Sequence, residues 1–230
     1  MTLACGIDFG TSNSSVGVCA ATGPRLLPIQ HGATSVPTAL FFSFDDNSTT
    51  FGHEALERYF EREPGRYLRA IKSVLGTKLF EETTQTKLKR YKFGEIIAAF
   101  LKFLRSAAGE GLGAPPSRVV LGRPAFFVDD DPLADAAAER QLAAAARAAG
   151  FAQIAFQFEP IAAALDYEQS VAAEEIALVA DIGGGTSDFR WCEFLPSARA
   201  RATRSVLVWL KRYCARRRLR RGFGWCGGTA

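Results

Sequence analysis

The sequence predicts an α/β fold that opens with an antiparallel meander. Three observations carry this. Short apolar runs separated by Gly, Ser, Thr and Asn turns fill the N-terminal stretch. One strongly amphipathic helical segment follows, and after it buried strand-like runs alternate with helical ones, the pattern of sheets covered by helices.

The meander is read as Leu3 to Phe9, the turn Gly10-Thr11-Ser12-Asn13-Ser14, Ser15 to Ala21, the turn Thr22-Gly23-Pro24, and Arg25 to Gln30. A strand is expected at Thr38 to Phe44. Helical spacing is then read over Gly52 to Arg62 and Tyr67 to Leu75, on either side of Pro64-Gly65. Phe93, Ile96, Ile97, Phe100, Leu101 and Leu104 fall at i, i+3, i+4, i+7, i+8 and i+11, which places one apolar face on a helix over 93–108. Gly109 to Pro116 breaks it. Arg118 to Pro124 reads as a buried strand stopped by its proline, Pro132 to Ala149 as an Ala-rich helix ended by Gly150, and Ile154 to Phe158 as a strand. Pro160 suits the first turn of a helix running Ile161 to Glu168, and Ile176 to Ile182 is the last strand expected.

Composition narrows the function classes. With 48% apolar and 23% charged residues the chain has the balance of a soluble globular protein. The N-terminus lacks the basic and apolar regions of a signal peptide, and no apolar run reaches the roughly 18 residues of a membrane span, so a cytoplasmic protein without membrane association is expected. Five cysteines without CxxC pairing and only two histidines, His31 and His53, argue against a zinc site or a disulfide framework. The net charge of +4 hides an asymmetry: residues 190–230 carry +10 and the rest −6. All three tryptophans lie in that basic segment, which is therefore read as a different kind of sequence.

Two segments share one pattern. Ile7-Asp8-Phe9-Gly10-Thr11-Ser12-Asn13 and Ala180-Asp181-Ile182-Gly183-Gly184-Gly185-Thr186-Ser187-Asp188 each bring an apolar strand to an Asp, then to a glycine turn and hydroxyl residues. Glycines let backbone N–H groups approach an anion closely, and successive N–H groups with Ser or Thr hydroxyls form an anion nest. The carboxylates would face a hydrated Mg²⁺ instead of the phosphates themselves. Either segment alone would be read as a plain β-hairpin; the pair favours a nucleotide. Neither fits the P-loop or the dinucleotide fingerprint.

These segments resemble the first and second phosphate motifs of the 70-kDa heat-shock (DnaK-type) protein family. Between them, Ala70-Ile71-Lys72-Ser73-Val74-Leu75-Gly76 is similar to the family's segment carrying its catalytic lysine, Val119 to Phe126 to its strand ending in a proline switch, and Glu159-Pro160-Ile161-Ala162-Ala163-Ala164-Leu165 to its Glu-Pro connection. Gly122-Arg123-Pro124 and Phe156-Gln157-Phe158-Glu159-Pro160 look closer to a divergent bacterial branch. The resemblance implies a ribonuclease-H-like, actin-like ATPase fold. Residues 1–175 would form the first lobe, with an inserted subdomain at about 38–116, and 176–189 the start of a second lobe. It implies ATP or ADP with Mg²⁺ as cofactors. Gly10, Thr11, Ser12, Asn13, Gly183, Gly184, Gly185 and Thr186 would hold phosphates; Asp8, Asp181 and Asp188 would reach the metal through water; and Lys72, Glu159, Asp181 and Thr186 would act in phosphoryl transfer. Client proteins or co-chaperones would be partners of the intact parent.

The match is read as stopping at Phe189. Residues 190–230 resemble a GC-rich gene translated out of frame: regrouping the codons of Trp191-Cys192-Glu193-Phe194 by one base gives Leu, Met or Val, then Val, then Arg or a stop, then Ile or Val, a strand-like run. The expectation is a frameshifted or disordered tail, an adjacent strand 176–182 left without a partner, and a fragment inactive as an ATPase because the second lobe's adenosine-binding residues are missing. Two alternatives stay open. One is a sugar kinase, which shares paired Gly-Thr hairpins but needs a sugar-contacting Asp not identifiable here. The other is a non-enzymatic module gripping nucleic acid nonspecifically through Arg216 to Arg221.

Overall fold

The computed structural model describes residues 3–20, 23–184 and 187–194. In chain order the elements are β1 (Ala4–Phe9), β2 (Asn13–Ala20), β3 (Gly23–Leu26), β4 (Ser35–Pro37), β5 (Ala39–Ser43), β6 (Thr49–Phe51), α1 (Gly52–Phe60) and β7 (Gly65–Arg69). Two short 3-10 helices follow, Ile71–Val74 and Lys78–Glu81. Then come β8 (Thr83–Gln85), β9 (Arg90–Lys92), α2 (Phe93–Leu112), β10 (Arg118–Arg123), α3 (Pro132–Ala148), β11 (Gln153–Phe158), α4 (Glu159–Tyr167), β12 (Glu175–Ile182) and β13 (Ser187–Phe194). Among the described residues two compact units emerge, one within 3–164 with 178–190 and one within 165–177 with 191–194.

The first unit is built on a mixed sheet ordered β11-β10-β1-β2-β3, with β4 also pairing to β2. β1 runs antiparallel to β2, forming the expected meander, and parallel to β10, which in turn runs parallel to β11. Strand alternation decides which residues go inside. Cys5, Ile7 and Phe9 of β1 and Val119 and Leu121 of β10 are buried, and they share one core with Ile96, Ile97, Phe100, Leu101 and Leu104 of α2 and Leu142 of α3. The Phe9 and Phe100 rings meet at 5.9 Å between centroids. α3 begins cleanly because the Asp131 carboxylate accepts from the backbone N–H groups of Leu133 and Ala134, and Pro132 occupies the first turn.

A second, three-stranded sheet ordered β6-β5-β7 places β5 in the middle, with all five of its residues buried. β7 corrects the helical reading of Tyr67 to Leu75. Tyr67 and Leu68 pair with Phe41 and Leu40 of β5, and Ala70 adopts a left-handed conformation at φ 53°, which no helix passes through. Only Ile71–Val74 then turns, as a 3-10 helix. Cross-strand pairing with a buried neighbour outweighs local helical spacing here.

A second correction concerns the last strand. β12 does not stand alone: β13, Ser187–Phe194, pairs with it, so strand structure continues past Phe189. The segment Ser-Asp-Phe-Arg-Trp-Cys-Glu-Phe is rich in aromatic residues, which favour a pleated surface despite the basic composition that follows. Within the second unit Phe194 is buried and its ring meets Tyr167 edge-on at 5.0 Å, while the Tyr167 hydroxyl donates to Glu175 at 2.7 Å. Residues 195–230, the rest of the basic tail, lie outside the described residues.

Burial sets thiol reactivity. Cys5 is 4% exposed and its thiol is pushed up to about 11 by desolvation, only partly offset by Arg105, whereas Cys19 is exposed. The thiolate is the reactive form, so iodoacetamide at pH 8 is expected to alkylate Cys19 and leave Cys5 untouched until the protein is unfolded. Peptide mass mapping reads this directly; equal labelling of the two in native buffer would contradict the packing of β1.

Candidate functional site

β1 delivers Asp8 to an exposed position between the buried side chains of Ile7 and Phe9. The turn that follows needs a glycine: a Cβ at Gly10 would overlap the carbonyl oxygen of Asn13. Thr11 is half-buried, and Ser12 and Asn13 are exposed. The second glycine turn, after β12, comes to the first. A Cβ at Gly184 would overlap the Ser12 hydroxyl and lie 3.2 Å from the Ser12 Cβ, so only a residue without a side chain fits there. Two glycine turns, whose residues Ser12 and Gly184 are 172 positions apart, thus meet within the first unit. Gly183 is exposed. Gly185 and Thr186, and the side chains of Asp181 and Asp188, lie outside the described residues.

Lys72 and Glu159 also come together. The left-handed Ala70 starts the 3-10 helix that turns Lys72 inward, and Gly76, at φ 74°, closes the segment by donating its N–H to Gln141 of α3 at 2.8 Å. The Lys72 side chain is 8% exposed and its ammonium donates to Glu159 Oε1 at 2.7 Å. Glu159 opens α4 immediately after β11, where the helix dipole favours an acid. The Phe127 ring centroid lies 6.0 Å from the Lys72 nitrogen.

Gly122 links this pair to the first turn. A Cβ there would lie 3.3 Å from Glu159 Oε1 and 3.7 Å from the Ile7 carbonyl, one residue before Asp8. The Glu159 carboxylate therefore rests over β10 beside the Asp8 end of β1. A glycine inside a buried strand is the sequence sign of such a close approach, and sequence reading took Gly122 only as a variant residue. Arg123, next to it, is also buried, held by Asp135 and Glu139 and flanked by the Phe127 and Phe158 rings.

The donor set suits a magnesium nucleotide: glycine turns with hydroxyls, one buried ammonium and carboxylates near by. No group of three or more potential metal-ligating side chains gathers among the described residues, and a Mg²⁺ held through its waters and the phosphates needs none. No helix among the described residues is long and apolar enough to cross a membrane.

This arrangement, an α/β unit with two glycine turns meeting beside a buried Lys-Glu pair, defines a class that sequence comparison identifies. The family model described as Hsp70 protein matches residues 4–94 and 83–195, and the chain belongs to the Hsp70 family. It is 32% identical over 183 residues to the chaperone protein DnaK of Mycoplasmopsis synoviae strain 53, covering 80% of this chain and 28% of that protein. It is 31% identical over 205 residues to the chaperone protein HscA homolog of Neisseria meningitidis serogroup B, covering 81% and 32%. A third relative, the DnaK of Mesomycoplasma hyopneumoniae strain J, is 32% identical over 184 residues. The chain spans less than a third of the length of these curated relatives. Family membership sets the sugar-kinase alternative aside, and the match to 195 extends beyond the Phe189 limit read from the motifs.

Proposed function

We propose that the chain binds Mg·ATP or Mg·ADP where the two glycine turns meet, as part of an actin-like ATPase domain whose hydrolysis drives a chaperone cycle in the whole protein. The observation that carries this is the approach of Gly184 to Ser12, which brings the two glycine turns together with no side chain of residue 184 between them. Gly10, Thr11, Ser12 and Asn13 supply donors from one side, and Gly183, Gly184, Gly185 and Thr186 from the other. Asp8, Asp181 and Asp188 would hold the metal through its water shell, and the metal would supply charge neutralisation for phosphoryl transfer.

Lys72 supplies the remaining positive charge. Buried and held by Glu159, it is aimed from a low-dielectric wall, where a fixed charge stabilises a developing one more strongly than in water. Glu159 fixes the ammonium and, with Thr186, orders the attacking water. Client proteins and co-chaperones are partners of the whole protein on this reading, which rests on membership in the Hsp70 family, and the cytoplasm is the compartment it implies.

Equilibrium dialysis with radiolabelled ATP tests the binding step. Binding is expected to require Mg²⁺ and to drop at least tenfold in Gly184→Val, whose side chain fills the gap between the turns. In the longest form of the protein that turns ATP over, Lys72→Ala is expected to lower kcat about 10²- to 10³-fold, the size of a lost transition-state donor, with a smaller change in binding. Unchanged dialysis for Gly184→Val would refute the site; an unchanged kcat for Lys72→Ala would refute the lysine's role.

A further inference from the structure

We propose that Thr38 is a positioning residue for the first phosphate turn, holding the Ser12–Asn13 peptide in its phosphate-facing orientation; this rests on the nucleotide reading above. Thr38 is the single residue between β4, which pairs with β2 of the large sheet, and β5, the central strand of the second sheet. It is 1% exposed. Its N–H donates to the Ser12 carbonyl at 2.8 Å, and its hydroxyl shares a 2.8 Å hydrogen bond with the hydroxyl of Ser14, also 1% exposed. One side chain and its own backbone therefore bracket the segment Ser12-Asn13-Ser14 at both ends.

The geometry has a direct consequence for anion binding. In a planar trans peptide the C=O and the next N–H point in opposite directions, so a Ser12 carbonyl turned to Thr38 turns the Asn13 N–H away from it. Ser12 itself lies between Thr38, whose N–H its carbonyl accepts, and Gly184, where any Cβ would overlap its hydroxyl. Releasing the Thr38 anchor lets this peptide rotate, and a nest whose N–H groups are not pre-aimed loses affinity. The anchor comes from the second sheet, so the turn's geometry is tied to how that sheet is seated.

The test compares four variants of the chain by equilibrium dialysis with Mg·ATP and with Mg·tripolyphosphate, alongside urea unfolding. Thr38→Val keeps the shape and the N–H but loses the hydroxyl, leaving the buried Ser14 hydroxyl unpaired. It is expected to weaken both ligands by the same factor, about tenfold, the worth of one well-placed hydrogen bond. Thr38→Ser restores affinity to within about twofold. Ser14→Ala removes the same bond from the other side and reproduces the loss, so the proposal stays testable should Thr38→Val fail to fold. Val16→Ala opens a cavity two residues along the same strand and lowers stability at least as much, with affinity unchanged. If wild-type protein binds Mg·ATP but Thr38→Val, or a folded Ser14→Ala, binds it equally well, the positioning role is wrong and the nucleotide reading stands. Equal weakening in Val16→Ala reduces Thr38 to a structural residue. If the wild-type chain binds neither ligand, the nucleotide reading falls and takes this proposal with it.

Discussion

Removing the Glu159 carboxylate, as in Glu159→Ala, is expected to destabilise the first unit by about 3 kcal/mol or more. Lys72 and Glu159 are 8% and 17% exposed in their side chains, so neither charge is fully hydrated in the folded state. Their 2.7 Å contact compensates the desolvation. Without the acid, the buried ammonium loses its 2.7 Å ion pair, and the Phe127 ring, 6.0 Å from its nitrogen, is too weak a partner to replace it. The double variant Lys72→Met with Glu159→Leu removes both charges and is expected to be close to neutral or more stable than wild type. Urea unfolding of wild type and the three variants measures the coupling between the two residues. A wild-type midpoint for Glu159→Ala would mean the pair is solvated. The expected outcome has a functional corollary: a pair that a hydrophobic replacement could match in stability is present for its charge, as the phosphate reading requires.

Much of the first unit was legible because its elements are periodic. The spacing of Ile96, Ile97, Phe100, Leu101 and Leu104 marked the buried face of α2, and each of these residues is indeed buried. The apolar runs of β1 and β10 were equally plain as strands. Reading failed where a long-range partner outvotes local pattern. Tyr67 to Leu75 has helical spacing, yet β5 claims its first half as a strand and Ala70 breaks the chain direction. β13 was hidden because basic composition drew attention away from its aromatic residues.

The site divides in the same way. The first glycine turn announces itself locally, since a Cβ at Gly10 would overlap the Asn13 carbonyl, whereas Gly184 is required by Ser12 in the other turn. Their meeting is a tertiary fact that no spacing encodes. Lys72 and Glu159 lie 87 residues apart; the family resemblance assigned both to phosphoryl transfer, and their direct contact is visible only in the fold. Thr38 carries no local signal at all, because its role depends on two hydrogen bonds to a different strand.

Arg123 is where the second large effect is expected: Arg123→Leu should cost about 3–5 kcal/mol, the range for breaking a buried ion pair. The guanidinium is 10% exposed, donates to both oxygens of Asp135 at 2.9 and 3.2 Å, and also bonds Glu139. Its Nε–H donates to the Pro124 carbonyl at 3.2 Å, and the rings of Phe127 and Phe158 lie 5.1 Å from its central carbon. Leucine would fill part of the space between the rings but leave Asp135, 17% exposed, without its cation. Asp135 keeps one partner, the Phe127 N–H at 2.7 Å, which holds the loss within this range. Lysine retains the charge but not the planar fork that engages a carboxylate and stacks between rings at once, so Arg123→Lys should recover only about half of the loss. Combining Arg123→Leu with Asp135→Asn and Glu139→Gln removes the stranded charges and should recover most of it. Because the Phe127 ring that packs on Arg123 also lies beside Lys72, the single variant should additionally weaken Mg·ATP binding, and the triple variant less so. Chemical denaturation and dialysis on the same preparations decide the matter: an Arg123→Leu protein as stable as wild type would show that the cluster contributes nothing to holding β10 against α3.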